Sequence, residues 1–251
     1  MLTHPTQEKL LALKLNGMAK ALEEQLNMTD IEDLSFEERL GLLVDREATE
    51  KENKRLTARL KKARLRQTNC VEDIDFRTPR GLDKNMVLAL AGCQWVAKNQ
   101  NVIITGPTGV GKTYLACALA HKACLEGYSA VYKRVTKLFD ELNIAKADGR
   151  YGKMMMTWAK TNLIILDDLG MAPMTADQRH DLLELMEDRY GQRSTIVTSQ
   201  LPIEAWHESI GDPTIADAIL DRIIHNAHKI NLKGESMRKK TNSLHQTEHL
   251  G

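Results

Sequence analysis

The chain has 251 residues, a net charge of +1 and four cysteines that lack metal-ligand spacing. This length allows one domain of moderate size with a smaller appended segment, and it is enough for a full hydrophobic core. No apolar run approaches the roughly 18 residues that a membrane-spanning helix needs, and no N-terminal segment resembles a signal peptide. These features predict a cytoplasmic protein without a membrane partner and exclude a small disulfide-stabilised secreted domain.

Residues 1–67 are predicted to form a small, entirely helical N-terminal domain. Apolar residues recur at helical spacing between Leu11 and Leu26. Ser35 followed by Glu38 has the pattern of a capping box, which places the start of another helix there.

That helix becomes strongly basic between Lys51 and Arg66, where eight basic residues stand against one acid, Glu52. At 100° per residue, five of the basic residues fall within an arc of about 80° and form one positively charged face. Such a face matches the phosphates of duplex DNA, whereas solvated charged faces usually mix both signs. An acidic protein partner is the alternative. The predicted DNA-binding residues are Lys51, Arg55, Arg59, Lys62 and Arg66.

A linker is predicted at residues 68–81, where Pro79 and an acidic patch interrupt the helical pattern. Residues 82–251 form the second predicted domain, in which strands alternate with helices after a helix near residues 83–98. This alternation predicts an α/β fold with a five-stranded parallel sheet. The predicted strands are 102–105, 129–134, 163–167, 195–199 and 228–232.

Residues 106–113, Gly-Pro-Thr-Gly-Val-Gly-Lys-Thr, carry the pattern of a phosphate-binding P-loop, or Walker A motif. A β-branched strand precedes the motif and a run of good helix formers follows it, as the motif requires. Its glycines let backbone N–H groups point at an anion, Lys112 reaches the β- and γ-phosphates, and the Thr113 hydroxyl suits Mg²⁺. The predicted nucleotide-binding residues here are Gly106, Pro107, Thr108, Gly109, Val110, Gly111, Lys112, Thr113 and Tyr114.

Two acids, Asp167 and Asp168, follow the apolar run 163–166. Buried parallel strands have such continuous apolar sequences, and open α/β sheets bind ligands at the carboxyl ends of their strands. Asp167 is therefore predicted to hold Mg²⁺ as a Walker B acid does, and Asp168 to orient or deprotonate the attacking water. Taken alone, the pair could equally be an Asp-rich turn after a strand.

With Thr198-Ser199-Gln200 at the end of a predicted strand, these motifs resemble an AAA+ ATPase. The resemblance implies ATP and Mg²⁺ as cofactors, and it makes either Ser199 or Gln200 the sensor 1 residue that bridges the γ-phosphate and the attacking water. The sequence does not choose between these two residues.

Two arginines near the C-terminus also take roles from this resemblance. Arg222, within Asp221-Arg222-Ile223-Ile224, resembles an arginine finger, which would reach the γ-phosphate bound to a neighbouring subunit of a homo-oligomer. Arginine suits this role because its planar fork neutralises phosphoryl charge. Arg238, in the segment 234–238, resembles a sensor 2 arginine that would contact the nucleotide.

Only residues 233–251 follow the last predicted strand, too few for the C-terminal helical lid of many AAA+ proteins. This expected absence of a lid resembles the DnaC-type helicase loaders. Within that clade the chain resembles the IstB family of insertion-sequence ATP-binding proteins nearly end to end. The matching segments are 55–61, 106–120, 147–151, 198–202 and 234–238. The resemblance implies an ATPase that assembles on DNA and works with a partner transposase.

Three functions are compatible with a P-loop in this chain. The basic stretch favours an ATP-regulated DNA-binding factor that assists a transposase. A DnaC-like helicase loader in DNA replication would use its N-terminal helices to bind a replicative helicase instead of DNA. A small-molecule kinase would need an acceptor pocket and usually an arginine-bearing lid, and neither is evident in the sequence.

Overall fold

The computed structural model describes residues 5–29 and 31–237, with only the backbone described at residue 32. The chain divides into two compact units, residues 1–58 and 59–251. Within the described residues, no helix is both long and apolar enough to cross a lipid bilayer.

The first unit is helical, as the sequence predicted. It contains α1 (Pro5–Ala12), α2 (Asn16–Leu26), a short 3-10 helix (Ile31–Asp33) and most of α3 (Phe36–Ala63). The predicted capping box is present before α3, because the Glu38 N–H donates to Ser35 Oγ and the Ser35 N–H donates to Glu38 Oε2.

A carboxylate of α3 holds the start of α2 within this unit. Glu47 is only 7% exposed and accepts hydrogen bonds from the backbone N–H groups of Gly17 at 2.6 Å and Met18 at 3.1 Å. These N–H groups belong to the first turn of α2 and have no partner within the helix, so the carboxylate serves as a cap. A Cβ on Gly17 would lie 2.7 Å from the Cα of Glu47, which explains why glycine is needed at this approach.

The second unit is built on a parallel sheet of five strands in the order β2-β3-β4-β1-β5. The predicted α/β fold and its five strands are confirmed. The strands are β1 (Asn101–Thr105), β2 (Ala130–Arg134), β3 (Leu163–Leu169), β4 (Ser194–Ser199) and β5 (Ala227–Asn231). The helices are α4 (Lys84–Ala91), α5 (Gln94–Ala97), α6 (Lys112–Leu125), α7 (Val135–Ala147), α8 (Tyr151–Lys160), α9 (Ala176–Arg189), α10 (Trp206–Ile210) and α11 (Pro213–Ile224).

The central strands are buried on both faces, which is why their sequences are continuous apolar runs. All five residues of β1 are buried, and so are all six of β4. In β3 the residues from Leu163 to Leu166 have no exposed surface. Because β3, β4 and β1 are parallel neighbours, their carboxyl ends meet at one edge of the sheet.

The structure divides the chain earlier than the sequence predicted. The boundary falls between Ala58 and Arg59, inside α3, and not at residues 68–81. The predicted linker is part of the second unit, where Val71, Ile74 and Arg80 are each 5% exposed. Apolar side chains inside the acidic patch are the reason, since they gain more from burial than a solvated linker could.

The expected absence of a C-terminal lid concerns residues 233–251. Residues 238–251, including Arg238, lie outside the described part of the chain. The missing lid and the sensor 2 role of Arg238 therefore stay predictions.

Candidate nucleotide-binding site

The P-loop joins β1 to α6 and needs its glycines for steric reasons. Gly106, Gly109 and Gly111 have φ angles of 144°, 84° and 104°, a region that side chains disfavour. A Cβ at Gly106 would lie 2.3 Å from the carbonyl oxygen of Leu232, and a Cβ at Gly109 would lie 2.2 Å from Ser236 Oγ. The loop can therefore hold this shape only with glycine at these positions.

Lys112 begins α6 and turns back into the loop. Its side chain is buried, and Nζ donates to the carbonyl oxygens of Gly106 at 2.7 Å and Pro107 at 2.9 Å. The first N–H groups of α6 surround the same space and carry the partial positive charge of the helix N-terminus. An ammonium group inside a ring of backbone donors is a binding site for phosphate groups, so the loop fits a nucleoside triphosphate.

Asp167 is fully buried at the end of β3 and accepts hydrogen bonds from three hydroxyl groups. Thr113 Oγ1 lies 2.9 Å from Oδ1, Tyr132 OH lies 2.5 Å from Oδ2, and Thr198 Oγ1 lies 2.5 Å from Oδ1. Burial and then the hydrogen bond to Asp167 raise the pKa of Tyr132, so the phenol stays protonated and donates at neutral pH. The adjacent oxygens of Thr113 and Asp167 are hard ligands that fit Mg²⁺.

Asp168 differs from Asp167 in its backbone and in its partner. Its φ angle is 64°, and the pairing of β3 with β4 is irregular between Leu166 and Leu169. This bulge turns the Asp168 carboxylate into the cavity beside the P-loop, where Arg134 Nε lies 2.9 Å from Oδ2. The predicted catalytic acid is thus ion-paired with the last residue of β2.

The two candidates for sensor 1 point in different directions. Ser199 is fully buried, and its hydroxyl donates to the carbonyl oxygen of Leu169 at 2.7 Å. Gln200 lines the cavity, and its Oε1 accepts from Thr108 Oγ1 at 2.6 Å. Of the two, only Gln200 can face a nucleotide in this arrangement.

Thr198 is a site residue that the sequence did not single out. Its hydroxyl donates to Asp167 and accepts from the backbone N–H of Asp168 at 3.1 Å. A period of two along β4 places Thr198 on the opposite face from Ser199. This alternation can be read from the sequence, and it argues against Ser199 as a residue that faces the nucleotide.

A cavity of about 690 Å³, large enough for a nucleotide, lies beside the P-loop and Asp168. Six of the predicted nucleotide-binding residues line it: Thr108, Gly109, Gly111, Lys112, Thr113 and Tyr114. Val110, within the loop, is fully buried. The segment predicted to be a linker contributes Asp73, Asp75 and Arg80 to the same cavity.

Arg80 packs against the P-loop and hydrogen-bonds its backbone. Its guanidinium donates to the carbonyl oxygen of Val110 at 3.1 Å and to that of Asp75 at 2.9 Å. A Cβ on Gly111 would lie 2.6 Å from Arg80 NH1, so the loop and the arginine fit closely. Sequence reasoning missed this residue because it placed the whole segment in a linker.

Arg222 lies on α11 and does not line the cavity among the described residues. Its guanidinium pairs with Glu187 Oε1 at 2.8 Å and donates to the carbonyl oxygen of Ala218 at 2.7 Å. The side chain is 26% exposed. The predicted role in a neighbouring subunit would require the pair with Glu187 to open.

The predicted DNA-binding residues do not share one environment. Lys51 and Arg55 are exposed and form weak ion pairs with Glu47 and Glu52, and Lys62 is exposed. Arg59 Nε donates to the carbonyl oxygen of Cys124 at 3.0 Å.

Arg66 departs from the predicted basic face altogether. Helix α3 ends at Ala63, and Arg64 has a φ angle of 48°, so Arg66 does not continue the helix. Its side chain lines the cavity of the P-loop, and NH1 lies 3.6 Å from Asp167 Oδ2. The prediction that helical spacing extends to Arg66 was wrong.

Comparison with known proteins agrees with this site. The family model described as IstB-like ATP binding protein matches residues 8–245. An insertion sequence ATP-binding protein of Sinorhizobium fredii is 52% identical over 95% of this chain and 98% of its own length. The ATP-binding protein of insertion sequence IS1162 from Pseudomonas fluorescens is 49% identical over 80% of this chain and 88% of its own length.

A solved structure shares the fold. The crystal structure of DnaI superposes with a TM-score of 0.58 and 24% identity, covering 67% of this chain and 92% of that chain. The P-loop and the buried Asp167 form the kind of site that an ATP-binding protein requires. The family model, which matches residues 8–245, is of such a protein. The chain belongs to the IstB family of insertion-sequence ATP-binding proteins.

Proposed function

We propose that this protein hydrolyses ATP, assembles on duplex DNA and assists a partner transposase in DNA transposition. The observation that carries the proposal is the joined Walker A and Walker B site, in which Thr113 Oγ1 lies 2.9 Å from Asp167 Oδ1 beside Lys112. The relatives supply the genetic context, since they are named for insertion sequences.

Different residues in and beside the cavity have different roles in the proposed hydrolysis. Lys112 and the N–H groups of the P-loop neutralise and orient the phosphates. Thr113 and Asp167 would hold Mg²⁺, which supplies additional positive charge at the phosphates. Asp168 accepts a proton from the attacking water or orients it, and Gln200 lies close enough to the P-loop to help position that water.

The ATP site is completed by a second copy of the chain in this proposal. Arg222 exchanges its pair with Glu187 for the γ-phosphate held by the neighbouring subunit. ATP then adds contacts at the interface that ADP lacks, and this difference couples the nucleotide to assembly.

Mixing two inactive variants tests the contribution of Arg222. Arg222→Ala and Lys112→Ala are each expected to lose ATPase activity. In mixtures, subunits with an intact P-loop face subunits with an intact arginine, so part of the activity should return. The measurement is steady-state phosphate release across mixing ratios, with co-assembly checked by light scattering. Failure to recover activity in mixed assemblies would mean that Arg222 does not act between subunits.

DNA binding is proposed for the exposed basic residues of α3. Lys51, Arg55 and Lys62 keep their charged groups at the surface. Exposed ion pairs such as that of Arg55 with Glu52 contribute little free energy, so they give way readily to a phosphate. Each contact is weak, and an oligomer adds many of them along one duplex.

Replacing Lys51, Arg55 and Lys62 with Gln is expected to weaken duplex binding equally for all sequences, because phosphate contacts carry no sequence information. The slope of log affinity against log salt should fall by up to about 0.9 per lost contact in each subunit. Fluorescence anisotropy at several salt concentrations measures both quantities. Nucleotide affinity should be unchanged, since none of the three residues lines the cavity.

A matched control variant removes three positive charges from surface positions outside α3. Lys98, Lys160 and Lys229 are exposed and lie outside α3, and their replacement with Gln should leave the salt slope unchanged. Equal slopes for wild type and the α3 variant would reject DNA binding by α3. A docking surface for a protein, as in a helicase loader, would then be the better explanation, and pull-down of a replicative helicase or of the transposase would identify the partner.

A further inference from the structure

Residues 59–69 form a continuous connection along α6, the helix that follows the P-loop. Arg59 contacts the last turn of α6 through the carbonyl oxygen of Cys124, and Ala63 is fully buried. Asn69 Nδ2 donates to the carbonyl oxygen of Tyr114 at 2.7 Å, in the first turn of the same helix. The segment therefore runs antiparallel to α6 and ends beside the P-loop.

The middle of this connection is held by a buried thiol. Backbone groups of Arg66 and Gln67 hydrogen-bond Cys117, which is fully buried in α6. The backbone of Arg66 is thus fixed to the helix that carries Lys112 and Thr113. The chain segment that carries Arg66 therefore has contacts at three levels of α6.

The Arg66 side chain leaves this connection and enters the nucleotide cavity. Its NH1 lies 3.6 Å from Asp167 Oδ2, too far for a hydrogen bond, and its guanidinium hydrogen-bonds the hydroxyl of Tyr132. A guanidinium carries five N–H donors, more than these two partners use. The side chain is 45% exposed and lines the cavity.

We infer that Arg66 binds the terminal phosphate of the ATP held in its own subunit and thereby links the nucleotide to the C-terminal end of α3. This inference rests on the ATP site of the proposed function. Arg66 lines the same cavity as Lys112 and Thr113, and a guanidinium binds phosphate oxygens with two parallel hydrogen bonds. ADP lacks the terminal phosphate, so only ATP engages this arginine fully.

The contact gives α3 a means of responding to the nucleotide. A ligand shifts a conformational equilibrium only if it contacts the two states differently, and Arg66 supplies such a contact at the end of a segment anchored to α6. The linkage is reciprocal, so DNA bound to α3 should raise the affinity for ATP more than that for ADP.

Two other roles for Arg66 make different predictions. If Arg66 contacts a DNA phosphate, its loss lowers the salt slope of DNA binding and leaves nucleotide affinity unchanged. If it only neutralises Asp167, its loss lowers the thermal stability of the nucleotide-free protein and leaves the ratio of ATP to ADP affinity unchanged. The ratio and the salt slope together separate all three roles.

The experiment measures ATP and ADP affinities of the full-length Arg66→Gln protein with Mg²⁺ by titration calorimetry. We expect ATP affinity to fall about tenfold or more and ADP affinity to change less than about twofold, as the loss of one charge-assisted contact predicts. Lys98→Gln, which removes an exposed charge outside both α3 and the cavity, should keep the wild-type ratio. The salt slope of DNA binding without nucleotide should be the same for Arg66→Gln and wild type.

An unchanged ratio of ATP to ADP affinity would overturn the inference, and the salt slope and the melting temperature would then show which of the other roles applies. If Arg66→Gln does not fold, Arg66→Met is measured in the same way, because it keeps the length of the side chain without its donors. Failure of the wild-type protein to bind ATP, or normal binding by Lys112→Ala, would instead count against the ATP site itself.

Discussion

Lys112→Ala is expected to lower ATP affinity by roughly 100-fold and to abolish ATP-driven assembly on DNA. The variant loses the only side-chain ammonium that lies within the P-loop among the described residues, and hydrogen bonds to charged groups contribute about 1.5–3 kcal/mol each. Titration calorimetry with ATP, and electron microscopy of the protein with duplex DNA, measure the two effects.

The fold should survive this substitution, because the Lys112 side chain lines the nucleotide cavity, where Nζ donates to the loop carbonyl oxygens of Gly106 and Pro107. Lys122→Ala is the matched control on the same helix, since Lys122 pairs with Glu126 far from the loop. Wild-type ATP affinity in a folded Lys112→Ala protein would show that the nucleotide binds elsewhere.

Much of the α/β unit could be predicted because its strands and its P-loop each depend on residues that are close together in the sequence. The run Leu163–Leu166 is apolar because β3 is covered on both faces, and the sequence alone shows that run. The P-loop glycines are needed for the turn itself, so their spacing was visible before any fold was known. In both cases the information is contained in one short segment.

The partners of Asp167 could not be predicted in the same way. Tyr132 and Thr198 reach it from β2 and β4, which flank β3 in the sheet. Their meeting depends on strand order, and strand order is a property of the whole chain. An isolated tyrosine in a predicted strand has no local feature that indicates a carboxylate beside it.

Arg66 shows that helical spacing in a sequence can continue beyond the point where the helix ends. Helical spacing predicted that Arg66 lies on the basic face of α3, but α3 ends at Ala63 and Arg64 adopts a left-handed conformation. No glycine or proline marks this end in the sequence. The helix ends where the chain turns along α6, a tertiary constraint that a single-sequence pattern does not contain.

Asp168→Asn is expected to reduce ATP turnover by about 100-fold or more while ATP binding and DNA assembly persist. Asparagine keeps the size of the side chain but cannot accept a proton from water, and general-base catalysis typically contributes 10²–10⁴-fold. Without hydrolysis, the assemblies on DNA should also last longer. Phosphate release and the lifetime of the DNA complexes by light scattering measure these effects.

The ion pair with Arg134 supplies the control for this prediction. Arg134 is 43% exposed, so its loss of a partner in Asp168→Asn is compensated by water at little cost in stability. Arg134→Gln breaks the same ion pair but keeps the carboxylate, and it should retain turnover. If Arg134→Gln loses turnover as fully as Asp168→Asn, the ion pair and not the carboxylate is what hydrolysis requires. If Asp168→Asn hydrolyses ATP at the wild-type rate, the Asp168 carboxylate does not activate the water, and the role assigned to it is wrong.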